Sequence, residues 1–150
     1  MSTISTAEKH QAAIRELYES ILNTGQLERL DQLVAGDYIG GPGQHGPAGF
    51  AQIIRELRHG FPDIHWTIED LVAAGDRVAI RWRWQGTHQG DFRGFPPSGK
   101  TVTNTAIAIY QFKADQIVQS WLQSDQLGFL KQMGAVPQDL GGVPQPTVTD

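Results

Sequence analysis

Apolar residues recur every three or four positions in the first 60 residues of the chain, and this spacing predicts three helices. The first helix, over residues 5–25, opens with a capping box and stops at a glycine. A shorter helix follows over residues 27–36, and a third begins at a proline and spans residues 47–60. Residues 37–46 are rich in glycine, so we expect no regular element there.

Beyond residue 60 apolar and polar positions alternate, which predicts four strands over residues 64–69, 77–84, 101–112 and 117–125. Helical spacing then returns for a few residues and ends at Gly134. This order of elements predicts an α+β fold, in which a cone-shaped, strongly bent and mainly antiparallel sheet carries helices packed on its concave face. Such a cone leaves a hollow between the sheet and the helices.

One domain over residues 1–134 accounts for all of these elements. Residues 135–150 have no periodicity and form a proline-containing C-terminal tail that we expect to be peripheral or mobile. Residues 86–100 contain too many glycines and prolines for a regular element, and we expect them to form a rim or lid. The third strand has apolar residues on both faces, and its Ile107 and Ile109 side predicts contact with a second copy in a homodimer or higher homo-oligomer.

The amino-acid composition argues against several classes of binding partner and cofactor. A formal net charge of -4 and a pI of about 5.7 disfavour nucleic acid and anionic membranes. The chain has no cysteine, which excludes disulfides and thiolate chemistry, and the five scattered histidines lack metal-ligand spacing, so we predict no metal site. The motifs of zinc proteases, phosphate-binding loops and nucleophile elbows are also missing. Without a signal core or a spanning run, we expect a cytoplasmic protein.

Asp125 stands where the last predicted strand gives way to the closing helix. Ile117, Gln119, Trp121 and Gln123 precede it at every second position, so a regular strand would place all five side chains on one face. If that face borders the hollow, Asp125 is a candidate catalytic acid and base, and burial among aromatic side chains would make it a stronger base. Aspartate is also a preferred helix N-cap, and the sequence leaves both roles open.

Four tryptophans are many for a domain of this size, and an aromatic row on a strand is typical of core packing. The same side chains could line a pocket for a planar or polycyclic ligand. We therefore expect the ligand to contact some or all of Trp66, Trp82, Trp84 and Trp121. The arginines that alternate along the second strand are more typical of ion pairs on a solvated face than of a phosphate site.

Two groups of residues carry a resemblance to a known family. The first lies in the predicted rim and comprises Gly86, Thr87, His88, Gly90, Phe92, Gly94, Pro96, Pro97, Gly99 and Lys100. The second comprises Tyr110, Phe112, Ile117, Val118, Trp121, Asp125, Gly128 and Gly134. Together they resemble the SnoaL-like polyketide cyclases, a family within the ketosteroid isomerase and nuclear transport factor 2 superfamily, over about residues 7–134.

The resemblance implies an α+β cone, usually dimeric or tetrameric, that uses no metal or organic cofactor. An aspartate matching Asp125 acts in such enzymes as acid and base in an intramolecular aldol ring closure. Ala108 and Gly40 depart from the family pattern, because cyclases commonly have histidine at the first position and asparagine at the second. Beside the tryptophans, we expect the substrate to contact His88, Ala108, Tyr110 and Gln123.

Three hypotheses follow for the function. The first is a cyclase-like or isomerase-like enzyme in which Asp125 transfers protons on a small hydrophobic carbonyl compound, with His65, His88 or Tyr110 donating to an enolate oxygen. The second is a non-catalytic small-molecule-binding domain in which Asp125 is only a cap. The third is a hydrolase or dehydratase of the epoxide hydrolase branch, in which Gln123 and Asn104 would hold a water molecule.

Overall fold

The computed structural model describes residues 5–135. Its helical elements are α1 (Thr6–Arg15) with a π-helical continuation (Glu16–Leu22), a 3₁₀ turn (Leu27–Arg29), α2 (Leu30–Leu33), α3 (Gly46–Gly60) and α4 (Gln126–Gln132). Its strands are β1 (Val34–Ile39), β2 (His65–Ala74), β3 (Arg77–Thr87), β4 (Thr101–Lys113) and β5 (Gln116–Ser124). The predicted tail falls outside the described residues, apart from its first residue.

The five strands form one sheet in the order β1-β5-β4-β3-β2. The β1–β5 pair is parallel and every other pair is antiparallel. The sheet is bent into an open cone, and α1 and α3 pack on its concave side. The predicted α+β cone is therefore confirmed.

On β3 and β4, buried residues alternate strictly with more exposed ones, so the buried concave face is separated from an exposed outer face. The helices supply the apolar residues that meet this face, including Ile14, Leu17 and Ile21 at the spacing of one helical stripe. The buried residues of the concave face on β3 and β4 are Val78, Ile80, Trp82, Trp84, Gly86, Val102, Asn104, Ala106, Ala108, Tyr110 and Phe112.

The strand β1 was not predicted. A helix to residue 36 was expected, yet the α-helical part ends at Leu33 and Val34 already has extended backbone. Three buried residues, Val34, Ala35 and Tyr38, lie on this strand, and it pairs with β5, more than 75 residues away in sequence. A short, glycine-containing strand of this kind is stabilised by its partner rather than by its own pattern, so local periodicity does not reveal it.

The segment after β3 forms an ordered rim. His88 and Lys100 close its base, with His88 N–H donating to Lys100 O (2.9 Å) and Gly99 N–H to His88 O (2.8 Å). Gly90 N–H donates to Gly60 O (3.1 Å), and a Cβ at Gly90 would lie only 2.1 Å from His59 O, so only glycine fits there. The rim is therefore tied to the C-terminal end of α3.

Within residues 5–135, no helix is long and apolar enough to cross a membrane.

Candidate active site

A cavity of about 490 Å³ lies between the sheet and the helices. Its volume is within the range of small-molecule sites, and most of its lining is apolar or aromatic. The exposed lining residues mark its solvent side and are Pro42, Arg93, Trp121, Leu122, Gln123 and Gln126. The buried aromatic lining residues are Tyr18, Tyr38, Phe50, Trp66, Trp82, Trp84, Phe92, Tyr110 and Phe129.

All four tryptophans border the cavity, and three of them are also buried in the core. Trp66, Trp82 and Trp84 are buried and also line the cavity, so their core and pocket roles coincide. Trp66 and Trp84 are cross-strand partners on β2 and β3, which fixes one wall of the cavity.

Two tyrosine hydroxyls meet at the buried end of the cavity. Tyr18 comes from the π-helical segment and Tyr110 from β4, and their hydroxyl oxygens are 2.5 Å apart. Burial raises the pKa of Tyr18 and raises the pKa of Tyr110 well above its usual value, so both phenols stay neutral. The indole N–H of Trp82 lies close enough to lower the pKa of Tyr18 slightly, but it has no hydrogen-bond partner of good geometry among the described residues.

A second hydroxyl pair lies on the same cavity. Tyr38 on β1 and Ser120 on β5 bring their oxygens to 2.6 Å, and burial raises the pKa of Tyr38. Asn104 on β4 is also buried in the lining, and its Oδ1 accepts from Thr105 N–H (3.0 Å). The polar atoms of the buried lining are therefore neutral hydroxyl, indole and amide groups.

A β-bulge reverses the predicted faces of β5. Phe112 pairs with Ile117 but Gln111 pairs with Gln119, so Val118 is an extra residue. From Gln119 onward every side chain lies on the face opposite to the predicted one, because side chains alternate along a strand. The residues that face the cavity are Ser120, Leu122 and Ser124, opposite Tyr110, Ala108 and Ala106.

Trp121 and Gln123 consequently stand on the outer face, opposite Ile109 and Ile107. The guanidinium of Arg77 lies 5.2 Å from the centre of a Trp121 ring on that side. Both residues border the cavity edge at β5, but the prediction that their side chains share a face with the buried Ile117 is wrong. Gln123 and Asn104, which the hydrolase hypothesis invokes, both border the cavity but stand on opposite faces of the sheet.

Asp125 is exposed and caps α4, with Gly128 N–H donating to its Oδ1 (2.9 Å). The expectation that it is sheltered among aromatic side chains is wrong, because the bulge in β5 and the cap turn its carboxylate away from them. Its chain neighbours Ser124 and Gln126 do line the cavity. The carboxylate is thus beside the cavity mouth, in the capping role that the sequence left open.

The two histidines considered as donors are not in the cavity lining. His88 is fully buried beside Phe61 (5.3 Å between ring centres), and its Nδ1 accepts from Ser98 N–H (3.3 Å). His65 is exposed and borders a separate groove of about 340 Å³. Ala108 is buried on the concave face but is not part of the cavity lining, whereas Gly40 is.

The groups that sequence reasoning missed are Tyr18, Tyr38 and Ser120. Tyr18 had a detectable signal, since it is a phenol within the apolar stripe of the first helix, and a buried hydroxyl needs a partner. Tyr38 and Ser120 had none, because one lies on the unpredicted strand β1 and the other follows the bulge. Within residues 5–135 there is no cluster of three or more side chains suited to a metal ion.

The fold and the cavity define a class of protein: a small α+β cone with an apolar cavity that has neutral hydrogen-bond donors at its buried end. The family model of SnoaL-like polyketide cyclases matches residues 12–133. The chain belongs to this family. No match was found among curated proteins.

Solved structures agree with this family. IdmH, a proposed polyketide cyclase from Streptomyces antibioticus, is 31% identical, with the match covering 83% of this chain and 98% of IdmH at a TM-score of 0.72. A proposed polyketide cyclase from Acidithiobacillus ferrooxidans is 29% identical over 89% of this chain and 98% of that chain, at a TM-score of 0.70. A SnoaL-like protein from Jannaschia sp. CCS1 shares the fold at 20% identity, covering 91% and 100% of the two chains with a TM-score of 0.78.

Proposed function

We propose that this protein is a cofactor-independent cyclase-like or isomerase-like enzyme that acts on a small hydrophobic carbonyl compound in the cavity. The observation that carries the proposal is the combination of an apolar, aromatic cavity of about 490 Å³ with neutral hydrogen-bond donors at its buried end. Such a cavity suits a flat apolar body that ends in a carbonyl oxygen. The likeness to proposed polyketide cyclases supports the same substrate class.

The reaction would be proton transfer at the carbon next to the carbonyl, followed by ring closure where the substrate carries a second carbonyl. Asp125 is the proposed acid and base. It stands beside the mouth, between Ser124 and Gln126 of the lining, and must leave the backbone N–H of Gly128 to reach the ligand. A general base of this kind contributes about a hundred- to ten-thousandfold to the rate.

A non-catalytic binding domain is the second candidate. Among the described residues that line the cavity, none is aspartate, glutamate or histidine, so no ordinary general base is already in place. In that case Asp125 would act only as a cap, and the cavity would hold its ligand without changing it.

Proton exchange in D2O tests the two candidates. The probes are aromatic 1,3-diketones and polycyclic aromatic ketones, followed by NMR for loss of the signal of the proton next to the carbonyl. We expect the wild type to accelerate exchange for some of these probes, and the Asp125→Asn variant to lose about a hundredfold or more of that acceleration. Asparagine is also a good N-cap, so this variant keeps the fold.

Two results would count against the proposal. Equal exchange by wild type and Asp125→Asn would remove Asp125 as the base. Saturable binding of the probes without any exchange would favour the binding domain.

The proposal includes a homodimer formed through the outer face of the sheet. Val72, Ile109 and Trp121 form one cross-strand row with Ala79 and are 63%, 38% and 43% exposed, and Ile107 on the same face is 59% exposed. An apolar patch of this kind on a sheet commonly marks a protein contact. The cytoplasmic location likewise remains a prediction.

A further inference from the structure

We propose that Asn104 binds the oxygen of the reacting carbonyl group, with the two N–H groups of its Nδ2 atom as donors. The inference rests on the proposed function, and it adds a residue that contacts the substrate beside Asp125. When Asp125 takes the proton from the carbon next to the carbonyl, the electron pair of that C–H bond makes the carbonyl oxygen an enolate oxygen. A donor that is already in contact with this oxygen stabilises the charge as it forms.

The first argument is the free amide nitrogen of Asn104. Thr105 N–H donates to Asn104 Oδ1 (3.0 Å), and because a backbone N–H can only donate, this contact fixes which end of the amide is nitrogen. Among the described residues, Nδ2 has no hydrogen-bond acceptor. Asn104 is 7% exposed and lines the cavity, so its unused donors are open to a ligand there. A buried amide without an acceptor is unfavourable, which favours a ligand that brings one.

The second argument is the position of Asn104 beside the proposed base. Asp125 N–H donates to Thr105 O (3.1 Å), so Asp125 joins β4 at the residue next to Asn104. Tyr110, at the buried end of the cavity, is six residues further along β4, which is about 20 Å in an extended strand. The carbon next to a carbonyl at that end is out of reach of Asp125. An oxygen bound there therefore belongs to another part of the ligand, and the reacting carbonyl lies near Asn104.

The third argument is the rigid surrounding of Asn104. Trp84 is its cross-strand partner on β3, and Phe129 of α4 lies against Trp84 with 5.6 Å between ring centres. Gln132 ties α4 to β4, because its Oε1 accepts from Thr103 N–H and its Nε2 donates to Thr103 O, both at 2.8 Å. The amide donor is thus held beside an aromatic wall before any ligand arrives, an arrangement that suits a flat conjugated ketone.

The infrared carbonyl stretch of a bound ketone tests the inference, because a hydrogen bond to the oxygen lowers its frequency. The probe is 2-acetylnaphthalene, and the difference between isotope-labelled and unlabelled ketone isolates the carbonyl band. We expect a lower frequency on the wild type than in hexane, and a return towards the hexane value on Asn104→Leu and Asn104→Asp. The second variant keeps an acceptor for Thr105 N–H but has no donor when it is ionised. Proton exchange on the same ketone should fall about ten- to a hundredfold in both variants, the effect of losing a hydrogen bond to a group that becomes charged.

Two further variants are controls for the carbonyl band. Gln126→Leu removes an amide on the same side of the cavity, but its Nε2 already donates to Ser124 Oγ (2.8 Å), so the band should not move. Tyr110→Phe removes a hydroxyl at the buried end and should also leave the band in place. The hydrocarbon 2-methylnaphthalene should bind to every variant within about twofold of the wild type, because it uses only the apolar wall.

A variant that loses the hydrocarbon has a damaged cavity, and the other Asn104 variant then supplies the comparison. If both lose it, the side-chain N–H resonances of Asn104 in the wild type decide, since the ketone should shift them and the hydrocarbon should not. A wild-type band at the hexane frequency, an unchanged band in both Asn104 variants, or a band that moves in Tyr110→Phe or Gln126→Leu would overturn the inference.

The carbonyl band and proton exchange separate this inference from the proposed function. A band that depends on Asn104, without proton exchange by the wild type, would refute the enzyme and keep the carbonyl site. Exchange at the wild-type rate in both Asn104 variants would refute the site and keep the enzyme.

Discussion

The two roles of Asp125, helix cap and proton-transfer group, are separable by three substitutions. Asp125→Asn keeps a capping side chain and removes the base, because asparagine and aspartate are about equally good N-caps. Asp125→Ala removes both. Gly128→Ala keeps the carboxylate but displaces it, since a Cβ at Gly128 would lie 2.2 Å from Asp125 Oδ2.

The magnitudes follow from the cap geometry. Gly128 N–H donates to Asp125 Oδ1 at 2.9 Å, so Asp125→Ala leaves that donor without its partner and should lower the free energy of unfolding by about 1 kcal/mol. For a domain of this size, such a loss lowers the melting temperature by about 3 to 5 °C. Asp125→Asn should change the stability by less than about 0.5 kcal/mol. In Gly128→Ala the lost cap is offset by the better helix propensity of alanine, about 1 kcal/mol, so the net change in stability should be small.

Urea unfolding measures the capping role and the proton-exchange assay measures the catalytic role, and both are applied to the wild type and the three variants. If Asp125 is the base, exchange is lost in Asp125→Asn, which is stable, and kept in Gly128→Ala, whose cap is broken. If Asp125 is only a cap, any proton-exchange activity should decrease only in the variants whose free energy of unfolding decreases. A loss of stability in Asp125→Asn as large as in Asp125→Ala would refute the capping argument itself.

Three further predictions concern the outer face, the buried phenols and the rim. Ile107→Asp should convert the proposed dimer to a monomer in sedimentation velocity, whereas Ile107→Val should not, and a monomeric wild type would contradict the proposed interface. Because burial raises the pKa of Tyr18 and of Tyr110 above 10, the unfolded chain releases protons that the fold retains, so the free energy of unfolding should fall as the pH rises above 10. Tyr18→Phe should reduce that fall, and an unchanged pH dependence would argue against burial as its cause. Thr87 lowers the pKa of Asp63 by donating from its backbone N–H and its hydroxyl, so Asp63→Asn should be less stable than wild type at neutral pH. This contribution is present above 3.8 and disappears as the pH falls through the lowered pKa, so equal acid unfolding of both proteins at every pH would contradict it.

The structure shows what surrounds Gly40 and Ala108, the two residues that depart from the family pattern. Gly40 lines the cavity near its solvent side, and a Cβ there would lie 2.6 Å from the hydroxyl of Tyr38. The place of the expected asparagine side chain is thus taken by Tyr38, whose hydroxyl meets Ser120. Ala108 is buried on the concave face of β4 but is not part of the cavity lining, to which its neighbour Tyr110 on the same face belongs. Both departures occur in a protein whose cavity lining includes three tyrosine hydroxyls.

The sequence alone determined the helices of the first 60 residues in outline, the four strands with alternating patterns and the α+β class. These features depend on hydrophobic periodicity, which is a local property of the chain. The capping role of Asp125 was also readable, since a cap needs only the residues that follow it.

Only the tertiary structure decided which groups face the cavity. A single extra residue, Val118, reverses the faces of Ser120 and Trp121, and a bulge is defined by its partner strand rather than by its own sequence. The contact between Tyr18 and Tyr110 joins positions 92 residues apart, and β1 exists because β5 is beside it. The site is built from such long-range contacts, and their geometry is set by how the helices and sheet pack, which no local pattern encodes.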